Sequence, residues 1–541
     1  MDRGRLGAVA ARTAPPAGVG LAATLGGGLL YLPGGVAQGA GPQAPLAYLL
    51  AGGGAVCLAV AFAVVAAGPF AERGPVYGAV SHVWGSRRLG ALAAWSALAG
   101  YVALLALLAE WLGRLAPLPA TTGAYVSGSL GAPTGLAALS GVGLPAPLVG
   151  DALAVTVCLF ALGVHLAGTR RAAVAAAVPA WGVVIGVGVL LLAAFLPGVG
   201  EFVPANFDPL YPTSGLQRAP LRSLLGGVGV ALFAFVGVEA AAYAAAVDRA
   251  DEGAGEDGDV RDSVAASAPV VAAAVAGALV TLTALVALGI IDWTRLTLAD
   301  IPAADAIAAY LPVDPVALTV VVSTAAGLAA LVALGVPAAR ALVGLAELYP
   351  PLERGPAEPP VVALVVVYGA AAALAVADLV APALYVAVPG LALSYLAVAT
   401  TAAAMPVRRP DLWAECGVRP TGAVGRVALA GGVAVAAALL GVTLASDPAT
   451  TLGLTLHRVA LAVFEFELVS DPLGGVVPAI VAWELIGLGL LLVVRDYRES
   501  VGIELPALDG PGENDRGGVN SDDESDPTDA SDPADESAPE P

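Results

Sequence analysis

The chain of 541 residues is 58% hydrophobic and only 13% charged, and its mean hydropathy is +0.84. Soluble domains carry about 25% charged residues, so this composition excludes an ordinary soluble protein. All 24 basic residues are arginine, and the 44 acidic residues bring the net charge to −20. Such an acidic chain argues against a nucleic-acid partner and is typical of a salt-adapted microbe.

Apolar windows predict an all-α integral membrane protein with about twelve transmembrane helices, because each window can cross a hydrocarbon core of about 30 Å. The predicted spans are residues 17–37, 46–68, 88–112, 149–166, 172–196, 222–247, 264–291, 314–348, 360–380, 382–404, 424–446 and 474–495. The segments near 111–148 and 447–473 are rich in Gly, Pro, Ser and Thr, which predicts long external loops.

Arginine placement predicts the orientation of these spans. With the N-terminus in the cytoplasm and alternating sides, 19 of the 24 arginines fall on the inner side and 5 on the outer side. This distribution follows the positive-inside rule, so we expect a multi-pass protein of the cell membrane with both termini cytoplasmic. Residues 1–16 would form a short cytoplasmic segment, and the acidic stretch 499–541 a disordered cytoplasmic tail.

Two of the predicted spans contain glycines in their interiors. The first holds LGGGLLYLPGG, residues 25–35, although each glycine costs a helix interior about 1 kcal/mol relative to alanine. The sixth holds four glycines within 224–247. Secondary transporters place broken helices at matching positions of two inverted halves, where the freed backbone groups line a cavity. Close helix packing is the alternative explanation of such glycines.

The five-span spacing of the two interruptions predicts the organisation of the membrane domain. It places one repeat at 17–196 and a second at 222–404, followed by appended helices at 424–446 and 474–495. Together these segments would form a single permease domain over residues 17–498.

Several motifs, taken in order, resemble those of the amino acid–polyamine–organocation (APC) superfamily of permeases. They are LGGGLLYLPG with AGP (25–34 and 40–42), FAERGPVY with HVWG (70–77 and 82–85), GVHLAGTRR (163–171), FAFVGVEAAA (233–242), AARALVGLAELYPPL (338–352) and MPVRRPDL (405–412). The resemblance implies a LeuT-type 5+5 inverted repeat with helices 1 and 6 broken. It also implies a secondary active transporter that moves amino acids by alternating access, with the lipid bilayer and a small amino acid as its partners.

The resemblance also implies a substrate site at the two broken helices. Backbone N–H groups of the first break would hold a substrate carboxylate, because the positive N-terminal end of a half-helix attracts an anion. Carbonyls of the second break would take the ammonium, and Phe233 matches an aromatic residue that closes over the substrate. The implied residues are Thr24, Gly26, Gly27, Gly28, Phe233, Ala234, Phe235, Val236 and Gly237.

The chain departs from the family pattern at three places. Ala246 and Val247 replace the acidic pair that usually follows helix 6, and an acidic insert over 248–262 follows them. Gly27 occupies a position where a serine-type residue is usual. The first two differences bear on gating and regulation, and the third bears on the size and polarity of the pocket.

The coupling ion is left open between H⁺ and Na⁺, and no other cofactor is expected. Glu239, an acid deep in the sixth span, is either a proton-linked switch or a structural carboxyl bonded to a neighbouring span. Family members that use sodium hold it with helix 1 carbonyls and helix 8 hydroxyls, which makes Ser323 and Thr324 candidates. The alternative for these hydroxyls is a bond back to their own helix.

Other chemistry finds little support in the sequence. Cys57, Cys158 and Cys416 are far apart, and the three histidines show no ligand spacing, so no metal site is predicted. No P-loop, HExxH or GxSxG motif occurs, so we expect neither an ATP-driven pump nor any other enzyme.

We therefore predict a permease for amino acids, most simply neutral ones, since a dicationic polyamine would need more than one buried carboxylate. One alternative is a transporter of the same fold for another organic solute, such as a nucleobase or an organic cation. The other is a nutrient sensor that binds its ligand without moving it. The oligomeric state is not predicted by the sequence.

Overall fold

The computed structural model of the chain is helical in every regular element that it describes. It describes residues 3–26, 29–30, 32–69, 74–115, 146–210, 220–251, 258–299, 301–348, 361–445, 476–502, 505 and 508. The predicted external loops near 111–148 and 447–473 therefore lie mostly outside the described residues, as does the acidic tail from residue 509.

The described residues of the first part of the chain form seven α-helices. They are α1 (Arg3–Leu25), α2 (Leu32–Ala40), α3 (Ala44–Ala66), α4 (Pro75–Trp84), α5 (Arg87–Leu115), α6 (Ala146–Leu166) and α7 (Thr169–Ala193). A 3-10 turn, Gly41–Gln43, joins α2 to α3.

The rest of the chain forms eleven further α-helices among the described residues. They are α8 (Pro220–Leu232), α9 (Ala240–Asp251), α10 (Gly258–Ile290), α11 (Trp293–Leu296), α12 (Pro302–Ala308), α13 (Pro315–Ala346), α14 (Val361–Val376), α15 (Val380–Arg408), α16 (Pro410–Glu415), α17 (Gly422–Ala445) and α18 (Val476–Val501). A 3-10 turn, Phe233–Phe235, follows α8.

Ten helical stretches in the described part of the chain are long and apolar enough to cross a membrane, which agrees with a multi-pass membrane protein. They are Leu32–Ala66, Arg87–Arg114, Leu148–Leu166, Thr169–Ala193, Pro220–Ala246, Ser263–Ile290, Pro315–Ala346, Val380–Arg408, Gly422–Leu444 and Val476–Val501. The predicted ninth span corresponds to α14, an apolar helix of 16 residues. The predicted first span corresponds to α1 and α2 together.

Three predicted boundaries differ from the observed helices. Helix α1 already begins at Arg3, inside the segment predicted to precede the first span. Most of the acidic insert at 248–262 is helical, because α9 continues to Asp251 and α10 begins at Gly258. Helix α18 continues to Val501, past the predicted start of the tail. Hydropathy locates only the apolar part of a helix, and charged residues can extend it into water.

The centre of the bundle is built on close contact between α3 and α10. A Cβ at Gly52 of α3 would lie 3.1 Å from the Cα of Gly277 in α10, so the two backbones nearly touch there. The ring of Phe235 packs beside both glycines, 3.4 Å from that Cβ position. Small residues allow such approach between helices in a membrane, where packing rather than water exclusion drives association.

Other helix contacts fall into repeated pairs. Helix α5 packs against α13 and α15, while α13 also packs against α7. Helix α1 packs against α10, and α8 packs against α3. Helices α6 and α14 contact each other and both contact α5 and α13. This arrangement surrounds the interrupted segments with α3, α5, α10, α13 and α15.

The lateral helix α4 is fastened to the end of α15. The Trp84 indole N–H donates to the Thr401 hydroxyl at 2.8 Å, and the Arg408 guanidinium lies 4.2 Å from the centre of the Trp84 ring. Arg409 donates to the His82 carbonyl at 3.1 Å. Hydrogen bonds from Arg409 hold the pKa of Asp411 below its usual range. Two motifs distant in sequence, HVWG and MPVRRPDL, thus form one joint.

Helix α18 is attached to α5 by polar and aromatic contacts. The rings of Trp95 and Trp483 stack at 4.4 Å, and the Trp95 N–H donates to the Trp483 carbonyl at 3.1 Å. The Ser96 hydroxyl donates to the Glu484 carboxylate at 2.5 Å. Glu484 lies eight residues into α18, about 12 Å from its start, and this hydrogen bond ties it to α5.

We expect Glu484→Leu to weaken the attachment of α18 to α5 and to lower the free energy of unfolding by about 1 kcal/mol, because the hydrogen bond between the two helices is lost. The Ser96 hydroxyl keeps the Leu92 carbonyl of its own helix as an acceptor. Glu484→Gln keeps an acceptor oxygen and should be nearly neutral. Thermal or denaturant unfolding in detergent measures both variants. Leu485→Ala, on the exposed neighbouring position, is the matched control. Equal stability of Glu484→Leu and this control would contradict the attachment.

Candidate functional site

The first candidate segment interrupts a helix. Helix α1 ends at Leu25, Gly26 begins a turn, and helix α2 starts at Leu32. Gly26 is buried, and a Cβ there would lie 2.6 Å from the Cβ of Ala330 in α13, which leaves room only for glycine. Gly27 and Gly28, predicted to contact a substrate carboxylate, lie outside the described residues.

Thr24, the last polar residue before this interruption, is buried, and its hydroxyl donates to the Gly20 carbonyl within α1. The proton of this hydroxyl is therefore used inside the helix, as is common for threonine in membrane spans. Its oxygen can still accept a hydrogen bond. The proposed contact between Thr24 and a substrate thus requires a donor on the substrate.

The second candidate segment also interrupts a helix. Helix α8 ends at Leu232, the turn Phe233–Phe235 follows, Val236 is extended, and α9 begins at Ala240. Gly237 has φ +101°, a conformation that L-residues with a Cβ rarely adopt. The carbonyls of Phe233 and Phe235 accept bonds of 3.3 Å, which is long, so they retain capacity for another donor.

The two interrupted helices meet at Gly237. A Cβ added there would lie 2.9 Å from the Cβ of Ala23 and 3.1 Å from its carbonyl oxygen. Helix α1 packs against α9, and α2 packs against α8, so each half of one helix faces a half of the other. The two interruptions are thereby brought to one buried region in the middle of the bundle.

Glu239 is fully buried at this crossing and is held by hydrogen bonds from two directions. The Tyr101 hydroxyl of α5 donates to Oε1 at 2.9 Å, and the Gly237 N–H donates to Oε2 at 3.1 Å. The same N–H lies 3.1 Å from the Tyr395 hydroxyl oxygen of α15 and donates to it as well. The edge of Phe62 packs against the Tyr395 ring at 5.3 Å.

Glu239 also occupies the N-cap position of α9, because the helix begins with the next residue and its carbonyl accepts from Ala242 and Tyr243. The positive end of a helix dipole favours a negative charge there. The contact with Tyr101 is the hydrogen bond to a neighbouring span that the structural alternative required. These hydrogen bonds are compatible with the proton-linked role too, because they would change if the carboxylate took up a proton. That role remains a prediction.

The two phenylalanines of the second interruption have different surroundings. Phe235 packs beside the two touching glycines of α3 and α10 described above, and it is 3% exposed. Phe233 is 9% exposed. Ala234, between the two rings, and Gly237, two residues after Phe235, are buried. Phe235 therefore anchors the turn, and Phe233 is the more exposed of the two buried rings.

The helix 8 hydroxyls lie away from the first interruption. Ser323 is buried and Thr324 is half-buried in α13. The residue of α13 that faces Gly26 is Ala330. It lies seven residues after Ser323 and six after Thr324, which is about 10 Å along the helix. At that level α13 carries alanine, leucine and valine, so it offers no side-chain oxygen for a sodium ion.

Sequence reasoning missed Tyr101 and Tyr395, which complete the site from α5 and α15. Both side chains are almost fully buried within apolar helices, where a phenol needs a hydrogen-bond partner. That need, together with the single acid of the sixth span, could have indicated that a buried tyrosine bonds to Glu239. The register between these helices cannot be read from the sequence, so the pairing of the tyrosines with Glu239 was not predicted.

Two histidines bond to backbone carbonyls, His82 within its own helix and His165 across to α13. The His82 Nδ1 lies 2.8 Å from the Gly78 carbonyl, and the His165 Nε2 lies 2.9 Å from the Val332 carbonyl. His457 lies outside the described residues. Glu110 pairs with Arg114 near the end of α5. Among the described residues, no three metal-ligating side chains lie close enough together to hold a metal ion.

Comparisons with known proteins add no relative to this picture. No protein-family model and no curated protein matches the chain. The function must therefore be inferred from the site itself: two interrupted helices that cross at Gly237, and a buried carboxylate fixed between two tyrosines.

Proposed function

We propose that this protein is a secondary transporter of the APC type, which moves a neutral amino acid across the cell membrane by alternating access. The observation that carries the proposal is the crossing of two interrupted helices inside a bundle of apolar helices. Broken spans that expose backbone groups in the middle of a membrane bundle are the usual way to build such a substrate site.

The helix packing supports an inverted repeat of five spans each. Exchanging α3 with α10, α5 with α13, α6 with α14 and α7 with α15 turns most observed contacts into other observed contacts. The α5–α15 contact becomes the α13–α7 contact, and the α5–α14 contact becomes the α13–α6 contact. Helices α17 and α18 have no counterparts, which fits two appended helices.

The packing of α1 and α8, which would be equivalent helices of the two repeats, does not follow this symmetry. Helix α1 packs against α7 and α13, whereas α8 packs chiefly against α2 and α3 among the described helices. An alternating-access protein with one gate closed has this asymmetry, because its two halves are related by symmetry only when averaged over both states. On the arginine distribution, we assign the closed end and both termini to the cytoplasm.

The chemistry of the site favours a zwitterion with an uncharged side chain. The first N–H groups of α2, which begins at Leu32 after the first interruption, have no partner within that helix and suit a carboxylate. The carbonyls of Phe233 and Phe235 suit an ammonium. Glu239 is the one fully buried carboxylate in the described part of the chain, and it is already engaged by Tyr101. A dicationic polyamine would require a second acid, so a neutral amino acid is the simplest substrate.

The proposed cycle uses both interruptions as hinges. Substrate binding between them would draw α1 and α9 together, and Phe233 would cover the ligand. Protonation or deprotonation of Glu239 would change its bonds to Tyr101 and Gly237, which join the second interruption to α5. A proton is the proposed coupling ion, since α13 offers no hydroxyl at the level of Gly26.

The test is uptake of labelled amino acids by proteoliposomes that contain the purified full chain. We expect saturable uptake of a neutral amino acid that an inward proton gradient stimulates and a sodium gradient does not. Empty liposomes and an uncoupler supply the controls.

Other outcomes identify the competing functions. Saturable binding without flux under either gradient would favour a nutrient sensor, and flux confined to a nucleobase or an organic cation would reassign the substrate. Stimulation by sodium alone would reject proton coupling while leaving the transport function intact.

A further inference from the structure

Two polar side chains outside the candidate site converge on consecutive carbonyls of α13. The His165 Nε2 of α6 donates to the Val332 carbonyl at 2.9 Å, and the Tyr368 hydroxyl of α14 donates to the Leu331 carbonyl at 2.9 Å. The two rings lie 5.8 Å apart. Both residues are 2 to 3% exposed, so each bond is shielded from lipid and water.

Gly335, one turn further along α13, makes this approach possible. A Cβ at Gly335 would lie 2.2 Å from the Tyr368 hydroxyl oxygen and 2.7 Å from the His165 Nε2. Any other residue at this position would push both side chains off the helix. The sequence therefore contains a matched set of three residues on three helices, His165, Gly335 and Tyr368.

The backbone that these side chains hold is weakened immediately afterwards. Pro337 lies within α13 and has no N–H, so the Ala333 carbonyl loses its helical partner. Proline inside a membrane helix allows bending at that turn. The bonds from His165 and Tyr368 act on the residues just before this weak turn, and they hold that part of α13 against α6 and α14.

The held segment is also the wall of the candidate site. Ala330 immediately precedes Leu331, and it faces Gly26 across a gap that a single Cβ would close. A shift of α13 at this level would change the space beside Gly26, where the proposed site holds its carboxylate. The position of Ala330 thus depends on bonds made on the opposite side of α13.

We propose that His165 and Tyr368 are positioning residues that set substrate affinity by fixing α13 against the first interruption. This inference rests on the proposed function, since it assigns the pair to the same substrate site. Neither side chain touches the substrate. Loss of either bond loosens the binding-competent site before substrate arrives, so affinity falls while the rate at saturation stays near that of the parent protein.

The test compares Tyr368→Phe with Tyr310→Phe. Tyr310 also donates its hydroxyl to a backbone carbonyl of a membrane helix, that of Leu190 at 2.8 Å, but α7 carries that carbonyl. We expect Tyr368→Phe to raise KM for uptake about 3- to 30-fold with little change in kcat, and Tyr310→Phe to change neither. His165→Leu should resemble Tyr368→Phe, and His165→Gln, which retains a donor, should recover part of the loss.

Hydrogen–deuterium exchange of α13 without substrate supplies a second reading. Tyr368→Phe should accelerate exchange in the peptide around 330–340, and Tyr310→Phe should not. Faster exchange with unchanged KM would overturn the positioning role, and unchanged exchange would refute the hold on α13. If the parent protein neither binds nor moves an amino acid, the proposed function fails separately, and exchange alone decides whether the pair holds α13.

Discussion

Replacing Gly237 by valine is expected to abolish substrate binding and transport. The residue has φ +101°, and a β-branched side chain in that conformation costs about 1 to 3 kcal/mol in backbone strain alone. Its Cβ would also lie 2.9 Å from the Ala23 Cβ, so the two interrupted helices could no longer cross at their present distance. Uptake by proteoliposomes and ligand affinity in detergent measure the effect.

If Gly237→Val does not fold, a milder variant at the same position still tests the prediction. Gly237→Ala carries the same strain with the smallest side chain, and we expect its affinity to fall at least about tenfold. Gly182→Val is the matched control, because α7 has open space at Gly182 and no left-handed backbone there. A folded Gly237→Ala protein with parental affinity would show that the crossing is not the binding site.

Replacing Glu239 should separate its structural contribution from its proposed coupling role. Glu239→Leu removes the acceptor of the Tyr101 hydroxyl and one acceptor of the Gly237 N–H, at a cost of about 1 to 3 kcal/mol for each buried group left unsatisfied. We expect loss of stability and of transport together. Thermal unfolding and uptake, measured on the same preparation, report the two effects.

Glu239→Gln is the informative partner of this variant, since its amide oxygen can still accept from Tyr101 but the side chain does not titrate. We expect folded protein whose uptake no longer depends on external pH. Parental uptake should rise as the external pH falls, because a lower pH favours loading of the coupling proton. Glu484→Gln, another acid in a membrane helix, should keep the parental profile. An unchanged profile in Glu239→Gln would confine Glu239 to a structural role.

Hydropathy and glycine positions were sufficient to predict the helical membrane class and the two interruptions. Membrane spans are visible in sequence because about 20 consecutive apolar residues are needed to cross the hydrocarbon core. The short helices α4, α11, α12 and α16 were not predicted, since they are too short or too polar for that signal. The helical ends of the acidic insert were missed for the same reason.

The candidate site was predictable only in part. Gly237 and Glu239 stand out in sequence because a glycine and an acid are unusual together in a span. Tyr101 and Tyr395 lie 138 and 156 residues away from Glu239 in the chain, and only the packing of α5 and α15 brings them to it. Helix register in a membrane depends on small-residue contacts such as Gly100 with Leu391, which no periodic pattern specifies.

Helix α15 connects the centre of the bundle to its end. Tyr395 lies at the second interruption and Arg409 at the joint with α4, 14 residues or about 21 Å apart along the helix axis. A tilt of about 10° about Tyr395 would therefore move the joint by about 4 Å. Because Trp84 and His82 are bonded to that end, α4 would be carried along, and a small rearrangement around Glu239 would become a visible displacement at the membrane surface.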